Sequence, residues 1–175
     1  VLNEMRNKKQ FISYLYPYSI PYYRRKGWEI ISDKITYEIC DYQLPKRQQV
    51  GGDVRRVSTD SDSLKEAYHR FAYQTHGALL RDDLAWNEYW LWDSDDLMSA
   101  IYYNEDEKPD GYVIYWIADD IFHIKDIIFL NEDARLGLWN FIGAHFSMIS
   151  KVIGNTFTDE PLAFLLEDAN IKETI

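Results

Sequence analysis

The chain has 175 residues, of which 46% are hydrophobic and 27% charged, as in a globular protein that folds in water. Its formal net charge of −10 argues against a nucleic-acid partner, because that kind of binding depends on neutralising phosphates. No apolar run approaches the ~20 residues that cross a bilayer, and no charged-then-apolar leader is visible, so no membrane partner is expected. Cys40 is the only cysteine, which excludes an internal disulfide and makes a reducing cytoplasm the expected compartment.

The first 52 residues are predicted to form short elements followed by a linker. Pro21 suits the first turn of a helix that Ser19 can cap, and Gly27 suits a left-handed position at its end. Residues 43–52 have no periodicity and contain proline, glycine and glutamine, which is typical of a linker. The predicted elements are a helix end at Val1–Lys9, a buried strand at Phe11–Tyr16, a short helix from Ser19 to Gly27, an extended segment at Trp28–Ile31 and a strand at Ile35–Cys40.

The region after residue 52 is predicted to form a second segment with the order β–α–α–β–β–β–α–β. A capping box, Ser63-Leu-Lys-Glu66, marks its first helix, because each side chain there can satisfy the other's free backbone amide. Three strands joined by short polar turns predict an antiparallel meander. The predicted elements are strand Val54–Val57, a helix from Ser63 towards Gly77, an aromatic helix opened by Asp82–Asp83, strands Ser99–Tyr103, Tyr112–Ala118 and Ile121–Leu130, a helix capped by Asn131 with a buried stripe through Phe146 and Ile149 and an end at Gly154–Asn155, and a strand at Leu162–Leu166.

Two stretches near the start resemble a known family. Phe11–Ser19 (FISYLYPYS) followed by Pro21–Trp28 (PYYRRKGW) resembles the strand–helix–strand that closes a Gcn5-related N-acetyltransferase (GNAT) domain. The second segment has the element order of the same fold. Two such domains in tandem resemble the multidomain enhanced-intracellular-survival family of acetyltransferases. Gly77–Arg81 (GALLR), with the tryptophans after it, and Asp159–Leu166 (DEPLAFLL) are also similar to the central domain of that family.

The resemblance implies an α+β fold, the acyl-CoA N-acyltransferase fold, with a mixed, mostly antiparallel sheet flanked by helices. Residues 1–42 would be the C-terminal part of the catalytic GNAT domain, residues 43–52 a linker, and residues 53–175 a second, noncatalytic GNAT-like domain. The family's glycine-rich phosphate loop does not occur in the chain and is expected just upstream of Val1, with a sterol-carrier-like domain after Ile175. We therefore expect the chain to be an interior piece of a longer protein.

The resemblance also implies the chemistry, direct transfer of acetyl from acetyl-CoA to a primary amine. A phenol with a pKa near ~10 stays protonated at neutral pH and can protonate the departing coenzyme A thiolate. The resemblance places this acid at Tyr23, with Tyr22 as the competitor because adjacent residues face about 100° apart on a helix. We expect an acetyl-CoA-dependent acyltransferase acting on a small amine or a peptide lysine, with this chain alone inactive.

The coenzyme is expected beside the elements around Tyr23. Phe11–Tyr16 would form one wall of the slot for pantetheine. Arg24 could approach the coenzyme phosphates, although a solvated face is favoured for it, and Ser19 is favoured as a helix cap over a catalytic hydroxyl. The residues expected to bind the cofactor are Tyr14, Tyr16, Ser19, Tyr22 and Arg24.

The substrate pocket is expected at Arg81, Trp86 and Trp90, because the resemblance puts this region beside the acceptor cleft. The helical spacing of the aromatic residues favours core packing as the alternative. No histidine or carboxylate group has metal-ligand spacing, so no metal is expected.

The second segment is expected to be noncatalytic. Asn131–Gly137 lacks the glycine spacing for phosphate contact, and the acidic residues at this helix start would repel pyrophosphate. The alternative function for the whole chain is therefore a noncatalytic GNAT-like module that packs against other domains. The sequence leaves the acceptor amine and the oligomeric state open, and its many aromatic residues are compatible with a homo-oligomer.

Overall fold

The computed structural model describes residues 2–32, 34–91, 96–156 and 160–174, and the chain divides into unit 1, residues 1–33, and unit 2, residues 34–175. No helix among the described residues is long and apolar enough to cross a membrane. Unit 1 contains two short helices, α1 (Leu2–Asn7) and α2 (Ile20–Arg24). As predicted, α2 carries Pro21 in its first turn, and Gly27 follows it with a left-handed φ of 92°.

The strand predicted at Phe11–Tyr16 is wrong. No strand is formed within residues 2–32, and the side chain of Phe11 is 92% exposed. A strand needs a neighbour that satisfies its backbone amides and carbonyls, and the described part of unit 1 supplies none. An apolar run of this length becomes a buried strand only where another strand pairs with it, and the local sequence does not show whether one does.

Unit 2 is built on one seven-stranded sheet with the order β2-β3-β4-β5-β6-β1-β7. Neighbouring strands are antiparallel except β5 and β6, which pair in parallel over Ile121–His123 and Lys151–Ile153. This sheet and its helices confirm the predicted α+β class. The elements are β1 (Ile35–Cys40), β2 (Asp53–Val57), α3 (Asp62–Gln74), α4 (Asp83–Trp90), β3 (Met98–Tyr103), β4 (Pro109–Ala118), β5 (Ile121–Phe129), α5 (Glu132–Gly143), β6 (Lys151–Thr156) and β7 (Lys172–Thr174).

Strand β1 corrects the predicted domain boundary. It pairs antiparallel with β6, from Ile35 opposite Thr156 to Cys40 opposite Lys151, and with β7 on its other side. The strand therefore belongs to the sheet of unit 2 and not to a first domain ending at residue 42. The structure moves the boundary to residue 33, because pairing with a distant strand decides which unit β1 joins.

The predicted linker at residues 43–52 is also part of unit 2. Gln43 is 2% exposed, and its side-chain amide donates to the backbone carbonyls of Asp168 and Asn170. Gln48 and Asn140 of α5 exchange two hydrogen bonds between backbone and side chain, each 2.8 Å long. The polar residues that suggested a linker instead form hydrogen bonds with other residues of the folded unit.

The helix starts were predicted with mixed success. Asp82 caps α4 by accepting from the backbone amide of Ala85, and Asn131 caps α5 by accepting from that of Ala134. Helix α3 begins at Asp62, and Ser61 stands at its cap position without a side-chain hydrogen bond. The capping box predicted at Ser63 is therefore wrong.

The last third of the chain differs from prediction after α5. The helix ends at Gly143, so Phe146 lies beyond it and is exposed, while the segment at Gly154–Asn155 belongs to strand β6. Leu162–Leu165 forms a 3-10 helix where a strand was predicted, and β7 was not predicted at all. Asp159 lies outside the described residues.

Helices cover both faces of the sheet, and the alternation along β4 shows this. Val113 and Tyr115 pack with α5 in one buried cluster, which we call the α5 face. Tyr112 and Ile114 pack with α3 and α4 in the other, the α3/α4 face. Both faces of β4 are buried, which explains its nearly continuous run of apolar residues.

Candidate functional site

In unit 1, the predicted acid Tyr23 lies on α2 among aromatic rings. Its ring makes edge-to-face contacts with Tyr22, Tyr18 and Trp28, at centroid separations of 5.3, 5.7 and 6.1 Å. Tyr22 is more exposed than Tyr23, which is half-buried. The structure therefore places the two candidate acids side by side, with the ring of Tyr23 in contact with three other aromatic rings.

The residues predicted to bind the coenzyme are spread along unit 1. Tyr14 and Tyr16 are exposed. Ser19 stands at the cap position of α2, where its backbone carbonyl accepts from Tyr23 while its side chain makes no capping bond. Arg24 donates from Nε to Glu29 at 3.0 Å in an exposed ion pair, which contributes little stability. Their role in binding stays a prediction.

In unit 2, Arg81 lies within a cage of three aromatic rings on the α3/α4 face. Its guanidinium carbon is 3.9 Å from the ring centroid of Tyr68, 4.0 Å from that of Tyr89 and 4.8 Å from that of Trp86. Such contacts attract a cation to the negative face of each ring. The Nη1 atom lies 3.8 Å from the Oδ2 atom of Asp126, and the Arg81 side chain is 15% exposed.

Asp126 is the acidic centre of this cluster. Its carboxylate accepts from the hydroxyls of Tyr112 at 2.9 Å and Tyr89 at 3.2 Å. Burial raises the pKa of Asp126 above its ordinary value, and the Arg81 charge opposes that rise in part. Burial also raises the pKa of Tyr112, and the neighbouring carboxylate adds to the effect. At neutral pH the phenol therefore stays a hydrogen-bond donor to Asp126.

The two tryptophans predicted for the substrate pocket lie together with Arg81. Trp86 is 5% exposed and stacks on Trp90 at a centroid separation of 6.1 Å. Trp86 also meets the ring of Tyr68 edge-on at 5.3 Å. The structure thus brings the three predicted pocket residues into one cluster, where the near-complete burial of Trp86 supports its role in core packing. Their contact with a substrate stays a prediction.

A shallow, open cleft of about 270 Å³ lies between α3 and the start of α4. Sequence reasoning missed its α3 side, although Lys65, Glu66 and His69 follow helical spacing on the polar side of the predicted helix. It also missed Asp126, whose only signal is a carboxylate inside a mostly apolar strand. The residues that line the cleft are Lys65, Glu66, Tyr68, His69, Arg81, Asp83 and Trp86.

Polar groups at the start of α5 are already hydrogen-bonded to other residues of the chain. Asp133 in its first turn accepts hydrogen bonds from the Tyr102 hydroxyl and from the backbone amide of Gly51, the latter at 3.0 Å. Burial raises the pKa of Tyr102 to about 12, and the bond to Asp133 contributes to the rise. The Tyr102 hydroxyl also accepts from the amide of Gly52 at 2.8 Å.

Arg135, also in the first turns of α5, is neutralised within the chain. Its guanidinium lies 2.8 Å from Glu160 and 3.1 Å from Glu132. The side chains of Arg135 and Glu160 are both nearly buried, so this pair is shielded from solvent, whereas the Glu132 side chain is exposed. Among the described residues, no group of three or more His, Cys, Asp or Glu side chains is placed to hold a metal ion.

Comparison with known proteins identifies the class to which this sheet and these helices belong. Residues 77–174 match a family model described as an acetyltransferase (GNAT) domain, and residues 1–31 match a second model with the same description. The chain belongs to the GNAT acetyltransferase family. Its mostly antiparallel sheet with flanking helices is the acyl-CoA N-acyltransferase fold that the sequence predicted.

Several solved structures are similar to the chain. A probable N-acyltransferase from Enterococcus faecalis is 27% identical, with a TM-score of 0.87 over 99% of this chain and 45% of that protein. A GCN5-related N-acetyltransferase from Anabaena variabilis is 28% identical, with a TM-score of 0.84 over 99% of this chain and 46% of its own. Eis1 from Mycobacterium abscessus shares the fold at 19% identity, with a TM-score of 0.75 over 99% of this chain and 47% of its own.

The chain thus spans less than half the length of the first two of these structures, 45% and 46%. The search among curated proteins found no match.

Proposed function

We propose that this chain belongs to an N-acetyltransferase that moves acetyl from acetyl-CoA to a primary amine by direct transfer. The observation that carries the proposal is the match of GNAT domain models to residues 1–31 and 77–174. Similar structures described as a probable N-acyltransferase and a GCN5-related N-acetyltransferase support it. Because the chain covers less than half of those proteins, the activity is proposed for a protein of their length.

Tyr23 is the proposed general acid. The amine nitrogen attacks the thioester carbonyl, so a C–N bond forms and the C–S bond breaks. The coenzyme A thiolate leaves and takes the proton of the Tyr23 hydroxyl, while the proton lost from the amine passes to water. The edge-to-face contacts of the Tyr23 ring with Tyr22, Tyr18 and Trp28 support the assignment, since a donor must be held in position.

The proposed coenzyme-binding residues are the other polar and aromatic residues of unit 1. They lie on α2 or within the residues that precede it, and Arg24 supplies a positive charge next to Tyr23. They are Tyr14, Tyr16, Ser19, Tyr22 and Arg24. The proposed compartment is the cytoplasm.

Unit 2 is proposed to be noncatalytic. In the GNAT fold a helix start with free amides would hold an anionic group, because amides and the helix dipole favour negative charge there. At the start of α5 the Asn131 side chain already accepts from the Ala134 amide, and Glu132 and Asp133 place two acidic groups in the first turn. A coenzyme phosphate would meet carboxylates rather than free donors.

The second candidate function is a noncatalytic GNAT-like module that packs against other domains. The closed start of α5 favours it for unit 2. In unit 1, several large apolar side chains are exposed, which is the property of a surface that another domain covers. These side chains include Phe11, Ile12, Tyr16 and Tyr18.

Titration calorimetry with acetyl-CoA tests the proposal, on the 175-residue chain and on a version extended to the length of its relatives where its gene encodes one. We expect the extended protein to bind and to acetylate amines. Tyr23→Phe should then lower kcat by about 10²–10⁴-fold with little change in the KM for acetyl-CoA, because a general acid acts in the transition state.

Tyr22→Phe is the matched control, since it removes the neighbouring hydroxyl from the same helix. A larger loss of kcat in Tyr22→Phe than in Tyr23→Phe would move the acid to Tyr22. If neither protein binds acetyl-CoA, the noncatalytic module is the better account.

A further inference from the structure

The cleft of about 270 Å³ on unit 2 has an unusual arrangement of charge. From α3 it receives Lys65 and Glu66, and from the start of α4 it receives Arg81 and Asp83. Each side of the cleft therefore presents one cation and one carboxylate. Trp86 contributes an apolar surface between them.

Three of these four charges have no partner in the described part of the chain. Neither Lys65, Glu66 nor Asp83 forms an ion pair or a side-chain hydrogen bond with any residue in the ranges 2–32, 34–91, 96–156 and 160–174. Lys65 is half-buried, and Glu66 and Asp83 are exposed. The fourth charge, Arg81, is paired with Asp126, and its buried Nη1 atom makes no hydrogen bond.

We propose that this cleft binds a zwitterionic ligand of the amino-acid type. A ligand with only an amine would face the like charges of Lys65 and Arg81, and a ligand with only a carboxylate would face Glu66 and Asp83. Like charges brought together oppose binding, so charge complementarity selects a ligand that carries both signs a few ångströms apart. An α-ammonium beside an α-carboxylate has this property.

The size and openness of the cleft set the expected affinity. Its volume suits a single amino acid rather than a larger cofactor, since pockets for larger ligands start near ~300 Å³. Charge pairs at an exposed rim are weak, so we expect a dissociation constant on the order of 1 mM. The inference concerns unit 2 alone and does not depend on acetyl transfer.

Nuclear magnetic resonance titration of the ¹⁵N-labelled chain, without acetyl-CoA, tests this with three probes of matched size. L-Leucine carries both charges, 3-methylbutylamine lacks its carboxylate and 4-methylpentanoate lacks its amine. Leucine should shift the amide signals of residues 65–69 and 81–86, and each single-charge probe should bind about tenfold more weakly because its contacts with two charged residues are lost.

Glu66→Gln should weaken the binding of leucine roughly two- to fivefold, because an ammonium contact is removed, and should strengthen that of 4-methylpentanoate, because a like charge is removed. Glu88→Gln is the matched control: it makes the same change on α4 at an exposed position that does not line the cleft, and should change nothing. Equal binding of leucine and either single-charge probe would contradict the proposed preference for a zwitterionic ligand. If no amide signal shifts with up to about 50 mM leucine, which is well above the expected dissociation constant, the cleft is not a binding site for such a ligand.

Discussion

The two faces of the sheet in unit 2 are stabilised in different ways. On the α5 face, Leu138, Tyr102 and Tyr115 are fully buried and make a close-packed apolar cluster. On the α3/α4 face, the buried cluster surrounds an ion pair between Arg81 and Asp126. The stability of the α5 face is therefore expected to depend mainly on side-chain volume, and that of the α3/α4 face also on pH.

The close packing of the α5 face depends on a glycine. A Cβ atom at Gly137 would lie 2.4 Å from the ring of Tyr102, far inside van der Waals contact. The missing side chain lets the helix approach β3 closely enough to bury the Tyr102 ring. This face therefore has little room for added or removed atoms.

The largest effect is expected on the α5 face. Leu138→Ala should lower the free energy of unfolding by about 3 kcal/mol, because it removes a fully buried side chain and leaves a cavity. Denaturant unfolding followed by fluorescence measures the change. Leu84→Ala is the control: the Leu84 side chain is 67% exposed, and its loss should cost less than about 0.5 kcal/mol. Equal losses in both variants would contradict the packing described for this face.

A smaller and pH-dependent effect is expected on the α3/α4 face. Burial raises the pKa of Asp126, so the charged carboxylate is disfavoured in the folded state, and Arg81 partly offsets this. Arg81→Met removes the offset and should cost about 2 kcal/mol at pH 7, less than for a fully buried pair because the Asp126 side chain is 24% exposed. Well below the unfolded-state pKa of ~3.9, where Asp126 is protonated in both states, the loss should be smaller.

Asp126→Asn tests the direction in which Asp126 makes the stability of the protein depend on pH. Because the folded-state pKa of Asp126 is raised, its contribution to stability is fully present below the unfolded-state pKa near ~3.9 and is lost as pH rises through the folded-state pKa. The variant lacks this titration, so its stability relative to the wild type should improve from pH 4 to pH 7. A difference that stays constant over that range would show that Asp126 has an ordinary pKa.

The smallest effect is expected at the polar edge of the α5 face. Tyr102→Phe removes the hydroxyl that donates to Asp133 and accepts from Gly52, and should cost about 1 kcal/mol at pH 7. Thermal unfolding of the two proteins measures it. A loss as large as that of Leu138→Ala would mean that hydrogen bonding at the start of α5, rather than packing, dominates this face.

Features that depend on neighbouring residues were predicted from the sequence. The starts of α4 and α5 were correct because Asp82 and Asn131 cap their helices through contacts three residues away. The three central strands were correct because turns between them are short. The boundary at residue 42 was wrong because β1 finds its partner in β6, and no local pattern records that pairing.

The candidate site shows the same division. Arg81, Trp86 and Trp90 lie together in the structure and within ten residues of one another in the sequence, and their role as a substrate pocket stays a prediction. Asp126 was missed because it joins them only through the register of the sheet, in which Ile114 of β4 lies opposite Asp126 of β5. The alternating charges of the cleft were missed because they depend on residues of α3 lying beside Arg81 and Asp83 in the folded unit.

The position of β1 in the sheet has a consequence for how unit 2 folds. Thr36 of β1 bonds to Asn155 of β6 across 119 residues of chain. Closing so long a loop is entropically costly and slows folding in proteins rich in such contacts. During synthesis, β1 leaves the ribosome long before its partner, so the sheet can be completed only after β6 has been made. Until then both edges of β1 are unpaired. During this time β1 can pair with a strand of another chain.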